Sequence, residues 1–149
     1  MLATPSPVAY RQWPLLLCVG AGGALGTAAR ASIAQTFPMS PAGFPWATLG
    51  VNLCGALALG WLIGFLSDFP DVGIRRVLRL TFGTGFLGGF TTYSTFVVES
   101  LLLGADARWL TALLYVAVTL SGGLVAAGVG FSVLPRGRAV GADHGGHES

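Results

Sequence analysis

The chain has 149 residues, of which 53% are hydrophobic and 9% charged, and its mean hydropathy is +0.72. A water-soluble domain usually carries about 25% charged residues, so this composition predicts a small membrane protein. The net charge of +2 is too small and too scattered to predict a nucleic-acid partner. The apolar segments hold no catalytic histidine, phosphate-binding loop, carboxylate pair or metal-ligand cluster, so the sequence does not predict an enzyme.

Four apolar segments follow one another, each long enough to cross a bilayer at roughly 20 residues per helix. We predict a polar lead at 1–14, a four-helix membrane domain at 15–134 with helices near 15–35, 46–66, 76–103 and 109–134, and a disordered tail at 135–149. A secretory signal is the alternative for the first segment, because Ala29-Arg30-Ala31 fits a small-x-small cleavage site. The weakly basic lead and the central Arg30 argue against it. His144 and His147 in the tail can bind a stray metal ion, but a solvated tail is the simpler interpretation.

The first two segments each hold one conspicuous polar side chain. Arg30 lies in the first, where a charge at membrane depth costs roughly 2.5–3.5 kcal/mol on insertion scales. It either snorkels to the interface or makes an electropositive vestibule that attracts anions. Asn52 lies in the second, with Thr48 one turn away on the same face. The segments also carry small-residue faces for close helix packing, Gly22-x-x-x-Gly26 and Gly60-x-x-x-Gly64.

The third segment is polar at its middle, where it reads GTGFLGGFTTYSTF over residues 83–96. Adjacent glycines followed by two threonines weaken a helix, through backbone freedom at Gly and lost χ1 freedom at Thr. We therefore predict a break in the third helix. Lipid cannot satisfy the backbone groups that a break frees, so they must face protein, water or an ion. The alternative, that the small residues only allow close packing, leaves the Phe-Thr-Thr-Tyr-Ser-Thr-Phe run unexplained.

Neutral hydrogen-bond donors are concentrated in these segments: Asn52, Thr91, Thr92, Tyr93, Ser94, Thr95, Tyr115 and Thr119. Amides, hydroxyls and aromatic ring edges can face a small anion without trapping it, as a conducting pore requires. Thr111, Tyr115 and Thr119 recur every four residues and form one stripe along the fourth helix. Glu99 shares a face with Phe96, so it is either a pore-end carboxylate or an interfacial carboxylate bonded to a neighbouring helix.

Four thin helices make a poor pore, so we expect a dimer that supplies eight. If the break lies on the two-fold axis, its carbonyl oxygens meet those of the partner and can enclose one hard cation such as sodium. The positive-inside rule predicts both termini in the cytoplasm. The arginines on the side of the termini are Arg11, Arg75, Arg76, Arg79, Arg136 and Arg138, and those on the other side are Arg108 and Arg30.

These motifs resemble the Fluc (CrcB) family of fluoride channels. The resemblance is carried by GGALGTAAR at 22–30, GVNLCG at 50–55 and, most specifically, GFLGGFTTYSTF at 85–96 followed by Glu99. It covers about residues 22–123. Tyr93 departs from the pattern, because the family usually has Phe at this position, and its hydroxyl is added beside the pore.

The resemblance implies a fluoride-selective passive channel that exports cytoplasmic fluoride across the inner (plasma) membrane. It implies an all-α fold of four transmembrane helices, with the third broken at its centre, assembled as an antiparallel dual-topology dimer. A structural sodium ion would be held at the dimer centre by the backbone carbonyls of Gly88 and Thr91. The fluoride pore would be lined by Asn52, Tyr93, Ser94, Thr95, Phe96, Tyr115 and Thr119, with Arg30 in the vestibule and Glu99 as a candidate pore-end carboxylate.

Three alternatives stay open at this point. The arginine asymmetry admits a heterodimer with an oppositely oriented relative, although a homodimer is favoured. A small dual-topology multidrug exporter is another function, but such exporters carry an essential Glu in the first span, where this chain has Arg30. A non-transporting packing subunit is the third, and it would leave the polar third-span motif without a role.

Overall fold

A computed structural model describes residues 13–39, 43–67 and 69–133, which form helices joined by short connections. The first two helices are α1 (Trp13–Thr36) and α2 (Trp46–Leu66). The third span has two parts: α3 runs through the consecutive segments Gly73–Leu78, Arg79–Leu87 and Gly88–Phe90, and α4 is Tyr93–Ala105. The last helix, α5, is Trp109–Ser132.

The prediction of four membrane spans is confirmed. Helices α1, α2 and α5 and the combined α3–α4 span, Gly73–Ala105, are each long and apolar enough to cross a membrane. The second helix has the predicted bounds, whereas the third span begins three residues earlier than expected, at Gly73. Most of the predicted lead and nearly all of the predicted tail, including both histidines, lie outside the described residues.

The third span is interrupted at Thr91 and Thr92, as the sequence predicts. Both residues have extended backbone, with φ −74° and ψ 156° at Thr91 and φ −142° and ψ 124° at Thr92. The Thr92 hydroxyl then starts α4, because its Oγ1 accepts a hydrogen bond of 3.2 Å from the backbone N–H of Thr95. This N-cap is the usual role of a threonine just before a helix. Eighteen residues of the 33-residue span precede the break and thirteen follow it, so the break lies close to the middle of the span.

The sequence did not predict the π-helical geometry of Arg79–Leu87. A π-helix is wider than an α-helix because its backbone bonds join residues five apart, and it is rare and usually short. Here the wide stretch packs against α1, and the short α-helical segment Gly88–Phe90 separates it from the break. The span is therefore distorted on both sides of Gly88.

Glycines set how closely α3 packs against α1 and how closely α2 packs against α5. On α3, a Cβ added to Gly85 would lie 2.6 Å from the carbonyl oxygen of Val19 in α1. On α2, a Cβ added to Gly64 would lie 2.7 Å from the carbonyl oxygen of Phe131 in α5. Both distances are shorter than real Cβ contacts, so the backbones approach closely only because side chains are absent. The predicted Gly-x-x-x-Gly faces are thus packing surfaces.

The core lies where α2, α4 and α5 meet. Its buried cluster consists of Leu49, Phe96, Leu103, Ala112 and Tyr115. On the loop side of this cluster, the Arg108 guanidinium donates a 3.0 Å hydrogen bond to the carbonyl of Gly43. This bond joins the α1–α2 connection to the α4–α5 connection, so the two connections lie on one side of the bundle.

Candidate functional site

Asn52 pairs with the backbone of the helix break. Its Nδ2 donates a 3.0 Å hydrogen bond to the Thr92 carbonyl, and its Oδ1 accepts one of 2.9 Å from the Thr92 N–H. One side chain from α2 thus satisfies both backbone groups of the residue at which the third span is extended. An amide carries two N–H donors, so one donor of Asn52 remains after this pairing.

Two side chains of α1 reach the end of α3. Thr27 Oγ1 and Arg30 Nε donate long hydrogen bonds of 3.4 Å and 3.3 Å to the Gly89 carbonyl. A helix C-terminus carries partial negative charge, so the Arg30 cation is stabilised there. Arg30 is half-buried and directed at the break, which differs from a simple snorkel to the interface.

Glu99 bridges two other helices. Its Oε1 accepts a hydrogen bond of 2.8 Å from Thr48 Oγ1 of α2, and its Oε2 accepts one of 2.8 Å from the Tyr115 hydroxyl of α5. Tyr115 is fully buried, and its ring centroid lies 5.3 Å from that of Phe96. In the described part of the chain, the Glu99 carboxylate is therefore held by two hydroxyl donors, one on each oxygen.

Thr92 is also the centre of a hydroxyl cluster. Its Oγ1 donates to Thr95 Oγ1 at 3.0 Å and lies 3.4 Å from Ser94 Oγ. Thr95 lies one turn before Glu99 on the same helix, so polar groups continue from the break into α4.

A cleft of about 380 Å³ opens beside the break. Among its lining residues are Asn52, Thr92, Tyr93, Phe96 and Thr119. The Tyr93 side chain is 78% exposed, whereas Phe96 is 6% exposed. Thr119 Oγ1 is buried and has no hydrogen-bond partner in the described part of the chain. The cleft therefore combines aromatic edges, an amide and an unpaired hydroxyl.

A second cavity of about 380 Å³ continues toward the α1–α2 connection, and its polar lining comes from Thr48, Thr95 and Glu99. A small cavity of about 50 Å³ beside Arg30 shares Thr48 and Thr95 with it. Phe96, which lines the cleft, packs against the ring of Tyr115, whose hydroxyl bonds Glu99 in the lining of the second cavity.

The predicted pore residues fall into groups around these spaces. The cleft is lined by Asn52, Tyr93, Phe96 and Thr119. The second cavity is lined by Thr95 and Glu99, and the small cavity by Arg30. Tyr115 packs against Phe96 at the edge of the cleft. Ser94 is exposed and reaches the group only through Thr92. Gly88 and Thr91, the predicted sodium ligands, also line the cleft.

The sequence interpretation assigned no role to Thr48 as a partner of Glu99, nor to Thr27. The four-residue spacing of Thr48 and Asn52 was a usable signal, because it places both on the face of α2 that meets α4. Thr27 lies three residues before Arg30, and the two share a face in the same way.

Comparison with known proteins identifies the family. The family model for CrcB-like protein, Camphor Resistance (CrcB), matches residues 17–131. The chain is 43% identical to the fluoride-specific ion channel FluC 1 of Cutibacterium acnes over 109 residues, which is 72% of this chain and 76% of that protein. It is 42% identical to FluC 1 of Streptomyces coelicolor over 118 residues, 78% of this chain and 75% of that protein. With FluC of Chlorobaculum tepidum the identity is 46% over 111 residues, 73% of this chain and 85% of that protein.

The family match extends from α1 to the last turns of α5 and so includes the helix break, the Glu99 cluster and the cleft. The relatives cover the same part of the chain at identities well above 30%. This four-span membrane protein belongs to the CrcB family.

Proposed function

We propose that this protein is a passive, fluoride-selective channel through which cytoplasmic fluoride leaves the cell across the inner membrane. Its relatives are named fluoride-specific ion channels, which supports this function. The single observation that carries the proposal is the Thr119 hydroxyl, which is buried, unpaired among the described residues and set in the lining of the cleft. A buried donor without a partner costs about 1–3 kcal/mol, and a bound anion would accept its hydrogen bond.

The chemistry of the cleft suits a small anion that passes without being trapped. The second N–H of Asn52 and the hydroxyls of Tyr93 and Thr119 are neutral donors, and the edge of the Phe96 ring carries partial positive charge. Neutral donors replace part of the ion's hydration but bind it more weakly than a fixed cation would. A pore needs this balance, because ions must leave as readily as they enter.

Glu99 marks the far end of the proposed route. Thr48 and Tyr115 occupy one oxygen each, so the carboxylate is held in place while the second cavity opens beside it. A carboxylate repels an anion unless its donors intervene. Both of these hydroxyls donate their proton to Glu99, so the donor left for a passing fluoride is the Thr95 hydroxyl, which accepts from Thr92 and lines the same cavity.

The proposal includes one structural sodium ion, held by the Gly88 and Thr91 carbonyls. In a continuous helix these carbonyls would accept from the N–H groups of Thr92 and Thr95, four residues on. The Thr92 N–H instead bonds Asn52 Oδ1, and the Thr95 N–H bonds Thr92 Oγ1. Carbonyl oxygens released in this way suit a hard cation such as sodium. The ion would supply fixed positive charge at the break.

An antiparallel dimer completes the site. Gly88, Tyr93 and Ser94 are exposed on the surface of the single subunit, beside the break. Lipid cannot satisfy released backbone carbonyls at membrane depth, so protein must cover them. A second, oppositely oriented copy would bring its own Gly88 and Thr91 carbonyls to the same place. We favour a homodimer over a heterodimer with an oppositely oriented relative.

Fluoride efflux from liposomes that contain only this protein tests the function, with chloride efflux measured in parallel. We expect rapid fluoride efflux and little chloride efflux. If the purified protein alone gives no fluoride efflux and co-expression of a relative restores it, the result would instead indicate a heterodimer. Proton-coupled efflux of an organic cation would support the exporter alternative, which the fluoride-channel names of the relatives disfavour.

A further inference from the structure

Two side chains at the break accept the N–H groups that would otherwise close the helix. The Asn52 amide accepts from Thr92, and the Thr92 hydroxyl accepts from Thr95. These are the donors that would satisfy the Gly88 and Thr91 carbonyls in an uninterrupted α-helix. We propose that Asn52 and Thr92 are positioning residues that keep the third span open and so release these two carbonyls for a cation.

The two residues act on different carbonyls. Asn52 comes from α2, 40 residues away in sequence, and its Nδ2 also satisfies the Thr92 carbonyl, so it fixes the extended backbone from both edges. Thr92 acts within its own helix as an N-cap. Asn52 therefore controls the release of the Gly88 carbonyl, and Thr92 that of the Thr91 carbonyl.

Removal of the Asn52 amide leaves Thr92 with two backbone groups that lack this partner in an apolar surrounding. Such groups form the nearest available hydrogen bond, because leaving them unpaired costs more than a modest change of backbone angles. In a continuous α-helix the acceptor for the Thr92 N–H is the Gly88 carbonyl, one helical turn back. The break then closes on the N-terminal side, and Gly88 is lost as a cation ligand.

This role differs from that of a residue that only donates to the permeating anion. An anion donor affects fluoride throughput and leaves the response to sodium unchanged. A positioning residue changes the sodium response itself. The inference rests on the sodium site of the proposed function, and sodium titration addresses both.

The test uses thermal melts of the purified, full-length protein in detergent, with sodium replaced stepwise by N-methylglucamine at constant ionic strength. We expect the sodium concentration at the midpoint of stabilisation to rise about tenfold in Asn52→Leu, which corresponds to about 1.4 kcal/mol. Thr92→Val should raise it similarly, because the hydroxyl acceptor is lost. Thr92→Ser keeps the hydroxyl that caps α4, so its sodium midpoint should equal that of the unmodified protein.

Ser100→Ala is the matched control, since it removes a side-chain hydrogen bond of 2.7 Å to the Phe96 carbonyl within α4 and leaves the break untouched. It should lower the melting temperature slightly without moving the sodium midpoint. If Asn52→Leu and Thr92→Val also lower the melting temperature but keep the midpoint, their role is merely structural and the inference is wrong.

A second measurement keeps the inference testable if the unmodified protein shows no sodium response, an outcome that would reject only the sodium site. Spin labels at Ile74 and Leu101, which are 69% and 68% exposed, report the distance across the break. The labelled chain, with Cys18 and Cys54 replaced by Ala, is diluted with unlabelled chain so that pairs lie within one subunit. Asn52→Leu should change this distance toward the roughly 40 Å of a continuous helix. An unchanged distance would overturn the role of Asn52.

Discussion

The contact between α2 and α5 makes a sharp prediction about Gly130. A Cβ at this position would lie 2.8 Å from the backbone nitrogen of Trp61 and closer still to the carbonyl oxygen of Leu57. Ordinary contacts of a Cβ begin at 3.4 Å. The obstacle is backbone on both sides, so no side-chain rotation relieves it and the two helices must separate. We expect Gly130→Ala to destabilise the protein.

The magnitude follows from two opposing terms. Overpacking in a close contact costs about 1–3 kcal/mol, whereas Ala is better than Gly in a helix interior by about 1 kcal/mol. Gly128→Ala provides the matched control, because Gly128 lies on the same helix with no atom within 4 Å of an added Cβ. The gain in helix propensity is common to both Gly-to-Ala changes, so the two variants differ by the overpacking cost alone. At roughly 2–4 °C per kcal/mol for a chain of this size, their melting temperatures should differ by about 2–12 °C.

Thermal melting in detergent, followed by tryptophan fluorescence in sodium-containing buffer, provides the comparison. Gly128→Ala should melt at or slightly above the temperature of the unmodified protein, and Gly130→Ala clearly below it. Equal melting temperatures for the two variants would refute the close approach of α2 and α5. The proposed channel function does not enter this reasoning, so such a result would concern the fold alone.

Two further predictions concern the cleft. Thr119→Val removes a hydroxyl that has no partner among the described residues, so fluoride efflux from liposomes should fall several-fold while the melting temperature stays the same or rises. Ser121→Ala is the control and should keep normal efflux, because the Ser121 hydroxyl is exposed and donates to the Ala117 carbonyl of its own helix. Phe96→Ile retains bulk but removes the aromatic edge and its contact with the Tyr115 ring, so most fluoride efflux should be lost in a protein that still elutes at the same volume as the unmodified protein. Normal efflux in either cleft variant would exclude that side chain from the route.

Much of the fold follows from local patterns. Hydropathy and length determine the four spans, because the bilayer thickness sets the length that an apolar helix needs. The break at Thr91 and Thr92 also follows from local chemistry, since paired glycines and threonines weaken a helix and a threonine caps the next one. The motif at residues 85–96 was specific enough to indicate the family, and the match over residues 17–131 agrees with it.

The partners of the polar residues were not predictable in the same way. Asn52 was expected to donate to an anion, and the structure pairs it with Thr92 across 40 residues of chain. Glu99 had two interpretations, and its bonds to Thr48 and Tyr115 depend on how α2, α4 and α5 pack. A helical period states which residues share a face, but it does not state which face of another helix lies opposite.

Which helix faces meet is determined by backbone contact at glycines such as Gly64 and Gly85. The absence of a side chain there lets two helices approach closely in one relative position. The sequence alone determined the four spans, the position of the break and which neutral hydrogen-bond donors the spans contain. Only the tertiary structure decided which donors form hydrogen bonds at the break, as Asn52 does with Thr92. It also decided which donors, such as the Thr119 hydroxyl, have no partner among the described residues. The physical reason is that a hydrogen bond needs its two groups within about 3 Å, and in this chain helices distant in sequence supply them.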